Sequence, residues 1–158
     1  MLARLARWLR TLGFDTTLDA QLADADFVAL ADAQGRIALT RDRGLLRELE
    51  PARALEITDD HPLQQLRQVV TALRLPAPAE LFTRCTVCNA ELSAPLDPRE
   101  RVRLLPADVQ GLPGPARRCP ACGRTYWPGS HARRMRASIE RALPGWLPTS
   151  SRPPAESV

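Results

Sequence analysis

The chain has 158 residues, enough for one ordinary domain or two small ones with a core that needs no staples. Apolar residues make up 44% and charged residues 25%, a globular composition, and no apolar run reaches the roughly 18 residues of a membrane-spanning helix. The net charge is +4 and all 22 basic residues are Arg, so Walker-type lysine and Schiff-base chemistry are excluded.

The first segment, Met1 to Gly13, reads as a core helix. Leu2, Leu5, Leu9 and Leu12 share one face, Trp8 sits at its edge, Arg4, Arg7 and Arg10 lie opposite, and Gly13 occupies a C-cap position. The three Arg exclude a secretory apolar region; an Arg-rich transit peptide is the competing reading. With no other address, the expected location is cytoplasmic. Phe14, Thr16 and Leu18 alternate like a short strand. Asp24 is expected to cap a helix that runs to about Gln34 and stops at Gly35. Residues 36–40 read as a buried strand, 44–48 as a short helix and 54–58 as a third strand. Asp59, Asp60 and Pro62 open a helix over 62–75, with Leu63, Leu66, Val69, Val70 and Leu73 on one stripe. This alternation argues an α/β domain with a parallel sheet over residues 1–78, closed by Pro76 and Pro78.

Residues 81–128 are rich in Pro, Gly and Cys, as a metal-held module is. Ser130 is placed to cap a last helix carrying Met135, Ile139 and Leu143, which gives a second domain over 81–143. The Pro- and Ser-rich tail 144–158 is expected to be disordered. Charge divides along the same line. Residues 1–80 hold 10 Arg against 12 acids, and residues 81–147 hold 11 Arg against 5 acids. A basic second half suits a polyanion, or is solvated surface.

All four Cys fall in two CxxC pairs, Cys85 with Cys88 and Cys119 with Cys122. Zinc takes four soft ligands in a tetrahedron, and each CxxC turn offers two thiolates on one side. Asn89 and Gly123 follow the pairs and tolerate the left-handed backbone such a turn needs. A redox CxxC calls for one pair on a thioredoxin-like helix, and disulfides call for an oxidising compartment. A structural Zn site is the reading that remains. It carries no chemistry, but contributes folding free energy on the order of 10 kcal/mol.

Asp42 follows the strand 36–40, at the carboxyl edge where parallel sheets place ligands, between Arg41 and Arg43. Asp24 and Asp26 start the preceding helix. Converging carboxylates there suit Mg or Mn, which activates water on a phosphodiester. The alternative is structural: Asp24 as N-cap, Asp26 in a first turn, Asp42 capping the next helix. Further on, Tyr126 and Trp127 are placed either to stack an unpaired base or to pack over the zinc site. His131, Arg133 and Arg134 extend a basic surface. His61 reads as structural, and Arg7 and Arg10 line the acidic site or face water.

Over residues 1–143 the chain resembles a known family, the PIN-like ribonuclease domain with an attached zinc ribbon named after the C-terminal part of the Mutator-seven exonuclease. The matching motifs stand in order: the first helix to Thr16; Arg36-Ile-Ala-Leu-Thr-Arg-Asp42; Phe82-Thr-Arg-Cys85 through Asn89; Cys119-Pro-Ala-Cys-Gly123; and Tyr126-Trp-Pro-Gly-Ser-His131. The resemblance implies a three-layer PIN-like fold and metal-dependent cleavage of RNA, leaving a 5′-phosphate and a 3′-hydroxyl. It makes Asp42 the main metal-binding carboxylate, with Asp24 at the start of the second helix and Asp26 beside it. Family members carry a strand ending in a metal-ligating Asp ahead of that first helix. Here Met1 stands where the helix begins, so the true start is expected upstream.

The expected function is therefore a metal-dependent ribonuclease. Asp24, Asp26 and Asp42 act at the metal, Arg41 and Arg43 neutralise phosphate, and Trp127, His131, Arg133 and Arg134 bind RNA. The alternatives are a catalytically silent nucleic-acid-binding protein and a protein-interaction zinc ribbon.

Overall fold

The computed structural model describes residues 2–148. Helix α1 spans Ala3–Thr11, and Leu5, Leu9 and Leu12 face inward as the spacing requires. Gly13 follows in the left-handed region at φ +85°, donating its N–H to the Arg10 carbonyl. Helix α2 (Asp24–Ala33) leads through Gly35, also left-handed at φ +61°, into strand β1 (Ala38–Thr40). Helix α3 (Arg43–Leu49), strand β2 (Ala54–Glu56) and helix α4 (Pro62–Ala72) follow.

Strands β1 and β2 pair in parallel with Ala38 opposite Ala54 and Thr40 opposite Glu56, and the Ile57 N–H extends the ladder to the Thr40 carbonyl. The parallel pair and the alternation of elements agree with the expected α/β class. The expected strand over 14–18 does not form. Its backbone groups go elsewhere: the Phe14 N–H bonds the Leu9 carbonyl, the Thr16 N–H bonds Asn89 Oδ1, and the Thr16 carbonyl accepts from Arg10 Nε. Satisfied in this way, the segment offers no free ladder.

The second half contains helix α5 (Pro98–Leu104), a 3-10 turn over Ala107–Val109, and strands β3 (Arg117–Arg118) and β4 (Thr125–Tyr126), which pair antiparallel. Helix α5 was not anticipated from the sequence, although its start is marked. Asp97 and Glu100 form a reciprocal capping box around Pro98. The helix is flanked by a small satellite core of Leu96, Leu105 and Ala116, on which Leu104 and Trp127 pack.

Helix α6 (Ser130–Ala142) returns to the first half of the chain. It packs on α4, and Ile139, Leu143 and Leu147 join Leu5, Leu9, Leu12, Leu66 and Val69 in one main core. Residues 144–147, expected within a disordered tail, form a turn that buries Leu147 and sets the Trp146 indole N–H 3.3 Å from the Leu75 carbonyl. The rest of that tail, 149–158, lies outside the described residues. Among the described residues no helix is long and apolar enough to cross a membrane.

Candidate functional site

The two CxxC turns meet. The four Cys Sγ atoms lie within 4.8 Å of one another, with Cys85 to Cys122 at 3.6 Å and Cys88 to Cys119 at 3.4 Å. Zn–S bonds of about 2.3 Å in a tetrahedron put sulfurs about 3.8 Å apart, so the four fit one zinc ion. The turns are built alike. In the first, the Cys88 N–H points at Cys85 Sγ and the Asn89 N–H bonds the Cys85 carbonyl. In the second, the Cys122 N–H points at Cys119 Sγ and the Gly123 N–H bonds the Cys119 carbonyl. Asn89 and Gly123 are left-handed, at φ +69° and +75°, as the spacing demands.

Cys85 and Cys119 are buried, Cys88 and Cys122 exposed. Burial disfavours the Cys85 thiolate, but hydrogen bonds from the Cys88 backbone and Tyr126 Oη outweigh it and bring the pKa to about 6. The Ala90 backbone favours the Cys88 thiolate, but desolvation and the neighbouring sulfurs outweigh it and push Cys88 up to about 12. Four sulfurs this close cannot all ionise without a cation between them.

The first CxxC turn is clamped to α1. Arg10 is 6% exposed, and its Nη1 donates to the Val87 carbonyl at 2.8 Å and the Thr86 carbonyl at 3.3 Å. Desolvation lowers the Arg10 pKa, partly offset by the Cys85 and Cys88 sulfurs. Asn89 completes the clamp, accepting from the Thr16 N–H and donating Nδ2 to Asp15 Oδ1 at 2.6 Å. Arg84 Nε reaches the Gly13 carbonyl. A Cβ at Gly13 would stand 2.5 Å from Thr83 Oγ1, so only glycine fits the seam. The sequence left Arg10 open between the acidic site and water and pointed to no role for Asp15; both are parts of this seam. Their partners lie more than 70 residues away, which no local pattern announces.

The carboxylates are arranged differently. Asp42 is the N-cap of α3, with Oδ1 accepting from the Gly44 N–H at 2.7 Å and the Leu45 N–H at 3.1 Å. That is the structural role weighed for it, and it leaves Oδ2 uncommitted among the described residues. Asp24 is not a cap. Ala23 holds the N-cap position, and Asp24 and Asp26 are exposed in the first turn of α2. Apart from the four Cys, no group of three or more His, Cys, Asp or Glu ligand atoms lies within 4.8 Å among the described residues. Arg41 pairs with Asp60, and Arg43 Nε bonds Glu56 Oε1 at 2.7 Å. The two Arg expected at phosphate are thus already ion-paired, and Glu56, Asp59 and Asp60 at the end of β2 join Asp42 at the carboxyl edge of the sheet. Asp59 and Asp60 carried the same signal as Asp42, acids just after a strand, whereas Glu56 lies within β2 and carried none.

Trp127 packs on the satellite core rather than over the zinc site, while the Tyr126 hydroxyl lies 3.1 Å from Cys85 Sγ. His131 is exposed in the first turn of α6. Arg133 and Arg134 are exposed beyond it, with Arg133 Nη1 reaching the Pro128 carbonyl. Gly129, not Ser130, holds the N-cap position of α6. His61 caps α4 through Nδ1, which accepts from the Leu63 N–H.

The family model described as Mut7-C RNAse domain matches residues 1–139. No curated protein and no solved structure matches the chain.

Proposed function

The chain belongs to the Mut7-C RNAse domain family, and from that premise we propose that it is a metal-dependent ribonuclease working at the carboxyl edge of β1–β2. The observation that carries the proposal is Asp42. It follows a parallel strand, is fixed by the Gly44 and Leu45 N–H groups of α3, and keeps one carboxylate oxygen uncommitted. Mg2+ or Mn2+ is held by one or two carboxylates, with waters and substrate phosphate filling the other positions, so a full carboxylate cage is not required. The second carboxylate is Asp24, with Asp26 beside it. Helix α2 is joined to β1 by a tight reversal in which the Arg36 N–H bonds the Ala31 carbonyl. Over its ten residues, about 15 Å, such a reversal would return the start of α2 toward the end of β1, which supports pairing Asp24 with Asp42.

When bound, the metal supplies a nucleophilic water and stabilises charge on the phosphorane-like transition state. Arg41 and Arg43 hold phosphate by exchanging their exposed partners Asp60 and Glu56 for it. The family reading also carries a three-layer PIN-like arrangement, to which the parallel pair and the helix groups α1–α4–α6 and α2–α3 would belong. Trp127, His131, Arg133 and Arg134 supply RNA contacts from the ribbon side.

Purified protein with Mn2+ is expected to nick single-stranded RNA, and Asp42→Asn to reduce the rate by at least about a hundredfold. Unchanged activity in Asp42→Asn overturns the assignment. The absence of a carboxylate trio among the described residues favours a second reading, a silent RNA-binding protein. That reading expects salt-sensitive RNA binding and no metal-stimulated cleavage.

A further inference from the structure

A cleft of about 1350 Å3 runs between α1, the start of α4, the second CxxC turn and the start of α6. It exceeds the roughly 300–1,000 Å3 of small-molecule pockets, so its size suits a length of polymer. Its walls are cationic. Five Arg and both His of the protein line it, against one acid, Glu80. That acid is already held by Arg117, whose Nη2 lies 3.0 and 2.8 Å from its two carboxylate oxygens. Arg4 and Arg7 are exposed, sit one helical turn apart on α1, and have no hydrogen-bond or ion-pair partner among the described residues. The half-buried rings of Trp8, Phe82 and Trp127 line the same cleft.

We propose that this cleft binds an unpaired RNA strand, whose phosphates meet Arg4, Arg7 and Arg124 and whose bases stack on Trp8 and Trp127. Cations and aromatic faces in one cleft are what a single strand needs: the backbone is neutralised and bases have faces to stack on. An acidic peptide would use the charge and leave the rings without a role. The cleft also ends in a meaningful place. His61 lines it, and its neighbour Asp60 pairs with Arg41 beside Asp42. One wall of the cleft is thus next in sequence to the acids after β2, and delivery of the strand to that edge is part of the proposal. This delivery rests on the nuclease reading; the binding does not.

The test uses the zinc-loaded full chain and a labelled oligouridylate of about twelve nucleotides, without added Mg2+ or Mn2+. Arg4→Ala/Arg7→Ala is expected to weaken binding about tenfold and to make the slope of log affinity against log salt shallower by about 1.4, two phosphate contacts on a single strand. Arg4→Lys/Arg7→Lys should restore most of both. Tryptophan emission should fall on binding, and less so in Trp8→Phe. Both Arg side chains are exposed, so the thermal melts of these variants should match the wild type. Unchanged affinity and slope in the double Ala variant overturn the proposal, as does equal binding of polyglutamate. Asp42→Asn should bind like the wild type. If it stops cleavage while the double Ala variant binds normally, the cleft falls and the nuclease stands. If the double Ala variant loses binding but the wild type never cleaves, the nuclease falls and the cleft stands.

Discussion

Asp15 shows how much a single exposed carboxylate can be made to do. The Arg36 guanidinium, 2.8 Å away, and the Asn89 amide hold its pKa below the usual carboxylate range. A lowered folded pKa adds stability in full above the unfolded value, and that stability is lost as pH falls through the folded one. Asp15→Asn is therefore expected to cost about 0.5–1 kcal/mol, a small value because the pair is partly exposed. In urea unfolding the gap from wild type should stay constant from about pH 5 to 8 and narrow only in the carboxylate range. A gap that closes near neutrality would show that Asp15 is not the group responsible. The four thiols were legible because CxxC is a local pattern with one good metal geometry. The clamp on Asp15 was not, because sequence spacing says nothing about which distant loop will supply an Asn side chain.

Among the elements, those with a long apolar stripe were readable. Leu5, Leu9 and Leu12 gave α1, and Leu66, Val69 and Val70 gave α4. The alternation of Phe14, Thr16 and Leu18 misled, because Asn89 and Arg10 take the hydrogen bonds that a neighbouring strand would need. Helix α5 has no buried residue and so no stripe to read; it depends on its ends. Asp97→Ala removes the bond to the Glu100 N–H and half the capping box, and should cost about 1 kcal/mol. Hydrogen exchange at the Glu100 and Arg101 amides is the sensitive measure. Rates equal to wild type would show that Pro98 and packing alone hold the helix.

On the scale of the whole molecule, the two halves that meet at residues 76–81 share one main core. Helix α6 and Leu147 return to the first half and fill the core against Leu66 and Val69. The first CxxC turn grips α1 from the other side. Zinc removal by a strong chelator is thus expected to lower the melting temperature of the entire protein in one transition, with faster exchange at the Thr16 amide. Zinc affinity should fall as pH falls, because thiols must give up protons to bind it. Loss of the ribbon alone, with α1 unaffected, would show two independent units.

Arg10 carries this further. If loss of the metal lets the first CxxC turn loosen, the Thr86 and Val87 carbonyls draw away and the buried guanidinium keeps only the Thr16 carbonyl as acceptor. Such a chain is the kind of half-finished product that cellular proteases clear. The amount of protein in cells is then expected to follow the zinc supply, which immunoblotting of chelator-treated cells checks.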